Sequence, residues 1–120
     1  MPTIENIRPI LRVEDLDASI AYYTEKLGFT LNWRESGMAG VGRDGCEIML
    51  CHGLQGNPGT WLWIGVEDAG TYFEEVSGRG VNVRLPLTNY PYAYEFNLFD
   101  PDGHVLRFGS EPRPDIPYVS

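Results

Sequence analysis

The sequence lacks the features that mark a membrane or secreted protein. No apolar run approaches the roughly 18 residues that a bilayer-spanning helix requires. The first residues, Met1 to Asn6, contain neither the basic nor the apolar segment of a secretory signal. We therefore expect a cytoplasmic protein with no membrane partner.

Positive charge and paired thiols are also scarce. Nine lysine and arginine residues stand against 17 aspartate and glutamate residues, which gives a net charge of −8. This balance argues against nucleic acid as a partner, because nucleic-acid binding needs a basic surface.

The only two cysteines, Cys46 and Cys51, stand at odd spacing on one predicted strand and point to opposite faces, so they cannot bridge each other. We expect two free thiols that pack as small hydrophobic residues.

What the sequence does contain is a clear β-hairpin in its second half. Two alternating strands flank the turn Asp100-Pro101-Asp102-Gly103, in which proline fixes φ, aspartate can bond its own backbone and glycine tolerates positive φ. The pair Asp44-Gly45 makes a similar turn upstream. The chain of 120 residues, 42% of them hydrophobic, is long enough for one compact domain or two small fused modules.

The two halves of the chain repeat one order of elements: a strand, a helix and three further strands. Asp15 caps the first predicted helix and Asp68 caps the second. The predicted strands cover residues 7–13, 29–35, 38–43, 46–51, 60–66, 81–87, 92–99 and 105–110. Self-similarity of this kind indicates a duplicated unit. The sequence therefore predicts an α+β fold of two tandem βαβββ modules in a single domain over 1–120, with module 1 at about 1–53, module 2 at about 60–111 and an extended tail over 112–120.

Alternate residues of the predicted strands form two different faces. One face is almost purely apolar and is expected to pack under the helices; its members are Leu11, Val13, Ile48, Leu50, Leu62, Ile64, Val81, Val83, Leu85, Phe96, Leu98, Leu106 and Phe108. The opposite face mixes rings, charges and aliphatic groups; its members are Arg8, Ile10, Arg12, Trp33, Glu47, Met49, Trp61, Trp63, Glu95, Asn97, Val105 and Arg107. A solvated sheet carries few tryptophans and a dry core carries few charges, whereas a concave ligand cavity accommodates both.

The chain resembles the glyoxalase / bleomycin-resistance / extradiol-dioxygenase superfamily, also called the vicinal oxygen chelate fold. The residues that carry the resemblance are 10–16, 21–23, 27–29, 95–96, 100–103 and 106–108. These segments are specific for the fold and not for a function. The resemblance implies mixed sheets that curl into cups, and a homodimer in which the cups of two modules or two chains form ligand sites.

The metalloenzymes of that family hold a divalent ion with one histidine or glutamate from each of four strands. The resemblance places these positions at Arg8, Met49, Trp61 and Arg107, and the spacing of the internal repeat supports the placement. None of the four is a usable ligand, because divalent ions need imidazole, carboxylate or thiolate donors. We therefore expect neither a metal nor another cofactor.

The remaining polar residues do not restore a catalytic site. His52 stands at a strand end and His104 follows the second turn, so we expect a surface or structural role for both. Glu47 and Glu95 share the cavity face, where ion pairs with arginines are the expected role. The chain has no phosphate loop, nucleophile elbow or Cys-x-x-Cys motif, and its glycine-rich stretch 37–42 lacks the strand-to-helix context of a nucleotide site.

The predicted function is metal-free binding of an aromatic or drug-like small molecule, as in the bleomycin-resistance branch, in an aromatic cup at a dimer interface and without turnover. Planar ligands stack on aromatic side chains, whose faces also attract cations, and the arginines suit a carboxylate or phenolate. The candidate ligand-binding residues are Arg8, Trp33, Met38, Glu47, Met49, Trp61, Trp63, Tyr90, Tyr94 and Arg107. No catalytic residue is predicted.

Two alternatives remain open. The first is an enzyme of the same fold, a lyase, isomerase or dioxygenase, with a metal held elsewhere or with an acid/base pair such as Glu47 and Arg107. The second is an orphan member whose site is vestigial or plugged. An open cup, copurifying metal and stabilisation by planar ligands would discriminate among the three.

Overall fold

A computed structural model describes residues 2–119. The chain divides between Pro58 and Gly59 into two compact units, and each is described by itself. No helix in the described range is long and apolar enough to cross a membrane.

The first unit is a four-stranded mixed sheet with one helix. Its elements are β1 (Ile10–Arg12), α1 (Leu16–Ala21) with a π-helical continuation (Tyr22–Lys26), β2 (Thr30–Glu35), β3 (Met38–Arg43) and β4 (Cys46–Cys51). The strand order is β1-β4-β3-β2, with β1 parallel to β4 and the other pairs antiparallel.

Short-range signals fix the ends of the first helix. The Asp15 side chain accepts a hydrogen bond from the amide of Ala18, which satisfies one of the free donors of the first turn. Gly28 takes a φ of +76° and turns the chain into β2, a conformation that favours glycine. The apolar side of α1 lies against β3 and β4. The buried residues of this core include Leu11, Val13, Leu16, Ile20, Tyr23, Leu27, Val41, Ile48 and Leu50.

The second unit repeats this arrangement. Its elements are β5 (Trp61–Gly65), α2 (Ala69–Ser77), β6 (Asn82–Asn89), β7 (Tyr94–Phe99) and β8 (Val105–Ser110), in the strand order β5-β8-β7-β6. Asp68 caps α2 by accepting from the amides of Gly70 and Thr71. In the core, the rings of Phe96 and Phe108 stack with their centroids 5.1 Å apart. The prediction of two βαβββ modules is confirmed.

Strand β6 departs from regular alternation. Its register shifts between Val83 and Leu85 and again between Leu85 and Thr88. Leu85, predicted to face the helix, therefore pairs with Asn97 of the opposite face, and that prediction is wrong. Val83 pairs with Leu98 on the helix face but stays 38% exposed because β6 is an edge strand. An inserted residue reverses the alternation beyond it, and the sequence pattern did not reveal it.

Two ends of the chain also differ from the prediction. β1 begins at Ile10 and not at residue 7, so Arg8 precedes the strand, although the carbonyl of Pro9 still accepts a hydrogen bond from β4. The tail is not simply extended. The side chain of Asn89 donates to the carbonyls of Arg113 and Ile116 and accepts from the amide of Arg113, which holds a turn there.

Replacing Asp100 by alanine is expected to lower the free energy of unfolding by about 2 kcal/mol. Its buried carboxylate accepts from the amides of Asp102 and His104, each at 2.9 Å, and the amide of His104 has no access to water. Denaturant unfolding measures the change. Asp100→Asn keeps the accepting oxygen and should lose less, and the exposed Glu67→Ala serves as the matched control. Equal stability of Asp100→Ala and Glu67→Ala would contradict this role.

Candidate functional site

An aromatic and cationic surface lies on the second sheet, on the face opposite to α2. Trp61 and Trp63 alternate along β5, and Trp63 pairs with Arg107 of β8. Large aromatic side chains are usually buried, yet these two tryptophans remain 54% and 52% exposed. We call the surface formed by Trp61, Trp63, Arg84 and Arg107 the second-module surface.

Trp63 occupies a place that the backbone leaves open for it. A Cβ at position 109 would lie 2.1 Å from Cη2 of Trp63, so only glycine fits there without moving the ring. The guanidinium carbon of Arg107 lies 5.0 Å from the ring centre, within the range of a cation–π contact. The indole is therefore held in position while half of it faces solvent.

Glu95 holds Arg107 beside this ring. Its carboxylate is buried and accepts two hydrogen bonds from the guanidinium, at 3.1 and 3.0 Å. Asn97 and the hydroxyl of Tyr92 donate to the same carboxylate. Burial by itself raises the pKa of Glu95, but the hydrogen bonds and the charge of Arg107 outweigh it and lower the pKa below its ordinary value. The predicted ion pairing of this carboxylate is confirmed.

Arg84 extends the network toward Trp61. Its Nη1 donates to Oδ1 of Asn97 at 2.9 Å, and its guanidinium carbon lies 4.6 Å from the ring centre of Trp61. The sequence prediction did not include this residue. Part of the signal was available, because alternation from apolar Val83 places Arg84 on the face opposite to α2.

The predicted tyrosines separate onto two faces. Tyr90 stacks on Tyr92 with the ring centroids 5.1 Å apart, and the Tyr92 hydroxyl reaches Glu95, so this stack borders the polar network. Tyr94 does not join them. It shares the alternation of Phe96, and its ring lies beside Gly70 at the start of α2, so the prediction that it lines the cup is wrong.

The candidate residues of the first module lie on the first sheet. We call Arg8, Trp33, Met38, Glu47 and Met49 the first-module surface. Pairing places Trp33 across from Gly40, which in turn pairs with Met49, and Met38 lies one step further along the same face of β3. A Cβ on Gly40 would lie 2.2 Å from Nε1 of Trp33, so this indole also rests against a glycine.

Glu47 is the polar centre of the first-module surface. Its Oε1 accepts a hydrogen bond from Asn32 at 2.9 Å, and its Oε2 lies 3.1 Å from Nε of Arg8 as an ion pair. The hydrogen bond from Asn32 lowers the pKa of Glu47, and a hydrogen bond from Trp33 and the charge of Arg8 act in the same direction against burial. A groove of about 320 Å³ lies beside the carboxylate, lined in part by Arg8, Asn32 and Glu47. Asn32 was another residue that the sequence prediction missed.

The residues at the four family metal positions do not fit a divalent ion. Arg8 and Arg107 are cations, each already paired with a carboxylate, and Met49 and Trp61 offer a thioether and a ring. Within residues 2–119, no three histidine, cysteine, aspartate or glutamate side chains come together as a possible metal site. His104 is buried, and its Nδ1 accepts a hydrogen bond from the amide of Thr60, which is a structural role.

Replacing Gly109 by alanine is expected to displace the Trp63 ring outward, because the exposed indole can move while the strand backbone cannot. In a background carrying Trp33→Phe and Trp61→Phe, the remaining tryptophan emission should shift to longer wavelength. Gly78→Ala is the matched control, since a Cβ at position 78 meets nothing within 4 Å. An unchanged emission maximum in Gly109→Ala would mean that the glycine does not position the ring.

Comparison with solved structures shows a shared fold. The bleomycin-binding protein of bleomycin-producing Streptomyces verticillus, solved with copper(II)-bleomycin, matches with a TM-score of 0.78 and 24% identity, over 92% of this chain and 98% of that one. TnmS3, an antibiotic binding protein from Streptomyces sp. CB03234, matches with a TM-score of 0.80 and 21% identity, over 92% and 99%. TioX from Micromonospora sp. ML1 matches with a TM-score of 0.80 and 18% identity, over 89% and 98%.

The family assignment comes from the sequence itself. No curated protein matches the chain. The sequence model of the Glyoxalase/Bleomycin resistance protein/Dioxygenase superfamily matches residues 4–108, which include all elements from β1 to most of β8. With its two βαβββ modules, the chain belongs to the glyoxalase/bleomycin resistance protein/dioxygenase superfamily.

Proposed function

We propose that this protein binds a planar aromatic or heteroaromatic small molecule at the second-module surface, without a metal and without turning it over. The observation that carries the proposal is the pair of half-exposed tryptophans on β5, which are held in place by contacts with arginines. An ordered aromatic surface open to solvent is suited to stacking a flat ring. Each stacked ring contributes about 0.5–1.5 kcal/mol beyond its area burial.

The ionisation of the carboxylates supports binding over catalysis. A general base working near neutral pH needs a pKa close to that pH, which for a glutamate means a raised value. The pKa values of Glu47 and Glu95 are both lowered, and each carboxylate accepts at least one hydrogen bond and pairs with an arginine. Neither is therefore poised to remove a proton from a ligand.

Two proteins that share this fold also support the proposal of ligand binding. One is a bleomycin-binding protein and another is an antibiotic binding protein. We extend their type of function, the binding of a drug-like molecule, to this chain. The first-module surface, with Trp33 and the groove beside Glu47, is proposed as a candidate ligand-binding surface of the first unit by itself.

We further propose that the protein is a cytoplasmic homodimer. Beyond the two tryptophans, Val83 and Leu31 expose apolar surface on the strands, and a second copy would cover part of it. A reducing compartment suits the exposed free thiol of Cys46. Light scattering across micromolar concentrations should give twice the chain mass of 13.5 kDa. A constant monomer mass would refute the dimer.

A thermal-shift screen tests the binding proposal. The panel contains antibiotics and planar aromatic acids and amides, each measured with chelator and with added divalent metal. We expect planar compounds to raise the melting temperature equally in both conditions, and mass spectrometry to recover them unchanged. A requirement for metal, or a chemically altered compound, would favour the enzyme alternative. The absence of any stabilising compound would favour a vestigial site.

A further inference from the structure

Arg84 differs from the other arginines of the two surfaces. Arg8 and Arg107 each have a carboxylate partner, Glu47 and Glu95 respectively. The contacts of Arg84 are the neutral amide oxygen of Asn97 and the ring of Trp61. Within residues 2–119, it has no acidic partner. No carboxylate among the described residues is therefore in direct contact with its charge.

Arg84 is exposed, and two contacts orient its guanidinium. Asn97 is 2% exposed, and its amide nitrogen donates to Glu95, which turns its oxygen toward Arg84. The guanidinium carbon also lies over the ring of Trp61, 4.6 Å from the ring centre. A planar fork fixed in advance loses less conformational freedom when it binds an anion. Because Arg84 is exposed and its fork makes one hydrogen bond, to Asn97, other N–H groups remain for a ligand placed beside Trp61.

The charge of this region opposes the charge of the whole protein. The network of Arg84, Asn97, Glu95 and Arg107 contains two guanidinium groups and one carboxylate, which leaves an excess positive charge. The chain as a whole carries a net charge of −8. A cationic ligand placed here meets like charge, whereas an anion meets its complement.

We infer that the second-module surface selects aromatic ligands that carry an anionic group, such as a carboxylate or phenolate, and that Arg84 supplies the contact to that group. This inference rests on the proposed function and narrows its ligand class. The ring stacks on the exposed tryptophans, and the anion accepts hydrogen bonds from the guanidinium. Charge-assisted hydrogen bonds of this kind are stronger than neutral ones, so Arg84 determines specificity more than Arg107, whose fork is already occupied by Glu95.

The test uses three probes that share one ring system and differ in charge: 2-naphthoate, 2-naphthamide and 2-naphthylmethylamine. Isothermal titration calorimetry at low salt measures each with wild type, Arg84→Gln, Arg84→Lys and Arg79→Gln. Arg79 pairs with Glu75 at the end of α2, so its replacement removes the same charge away from the surface. We expect wild type and Arg79→Gln to bind the acid about tenfold more tightly than the amide.

In Arg84→Gln the ratio of the acid affinity to the amide affinity, measured in the same variant, should fall to within about twofold of unity. Arg84→Lys should retain part of the preference for the acid over the amide. Added salt should weaken this preference in wild type. If the amide binds but the acid is not preferred, or if Arg84→Gln keeps the preference, the inference is wrong and the proposed function stands. The tightest binding by the amine would also overturn it. If none of the probes binds to wild type, the proposed function and the inference fail together.

Discussion

Replacing Glu95 by alanine is expected to lower the free energy of unfolding by about 3 kcal/mol. The buried carboxylate accepts from Arg107, Asn97 and Tyr92, and its removal leaves all three donors without their partner. Breaking a buried ion pair costs roughly 3–5 kcal/mol, and the lower end applies because the Arg107 side chain is 32% exposed. Urea unfolding followed by circular dichroism measures the change.

A paired replacement separates the charge from the packing. The double variant Glu95→Leu/Arg107→Leu leaves no unpaired charge. Its free energy of unfolding should therefore recover most of what Glu95→Ala loses. Arg107→Leu alone leaves a buried carboxylate without its main donor and should resemble Glu95→Ala. The exposed Glu67→Ala is the control for loss of a negative charge. Stability of Glu95→Ala within about 0.5 kcal/mol of wild type would show that this network is not structural.

The same carboxylate makes stability depend on pH. Because the pKa of Glu95 is lowered in the folded state, its stabilisation is fully present above the unfolded pKa and is lost as the pH falls toward the folded pKa. The free energy of unfolding of wild type should therefore decrease between about pH 5 and pH 3. Glu95→Gln should flatten this decrease. Part of it should remain, because the pKa of Glu47 is lowered as well.

Replacing Trp61 by alanine is expected to weaken the binding of a planar probe such as 2-naphthamide about tenfold, or about 1.4 kcal/mol. The ring is 54% exposed, so its loss removes stacking surface for the ligand and little of the core. Calorimetry gives the affinity and denaturant unfolding gives the stability. The half-exposed Tyr118, outside the second-module surface, provides the matched control Tyr118→Ala. Equal affinities for the two variants would mean that Trp61 does not contact the ligand.

The fold could be predicted because its signals are local. Asp15 and Asp68 begin the helices through bonds to amides two or three residues away, and the turn after Asp100 depends on four consecutive residues. Strict alternation was also enough to place Trp61 and Trp63 on one face of β5. These features need no knowledge of which strands become neighbours.

The partners within the polar network could not be predicted, because they depend on the register between strands. Glu95 meets Arg107 only because β7 pairs with β8 so that Asn97 stands opposite Arg107. Ion pairing of the glutamates on this face was expected from the sequence, but strand alternation alone does not say which arginine pairs with Glu95. Pairing between strands also produces the bulge that brings Leu85 opposite Asn97. The contact between Arg84 and Asn97 likewise depends on this pairing.

Ligand binding at the second-module surface is tested most directly by two-dimensional NMR of the indole N–H signals of the three tryptophans during titration with 2-naphthamide. This probe is flat and uncharged, so it tests stacking apart from charge. We expect the signals assigned to Trp61 and Trp63 to shift together and to saturate with a single dissociation constant. If neither signal moves while the probe binds elsewhere, or if no signal changes at all, the second-module surface is not the ligand site.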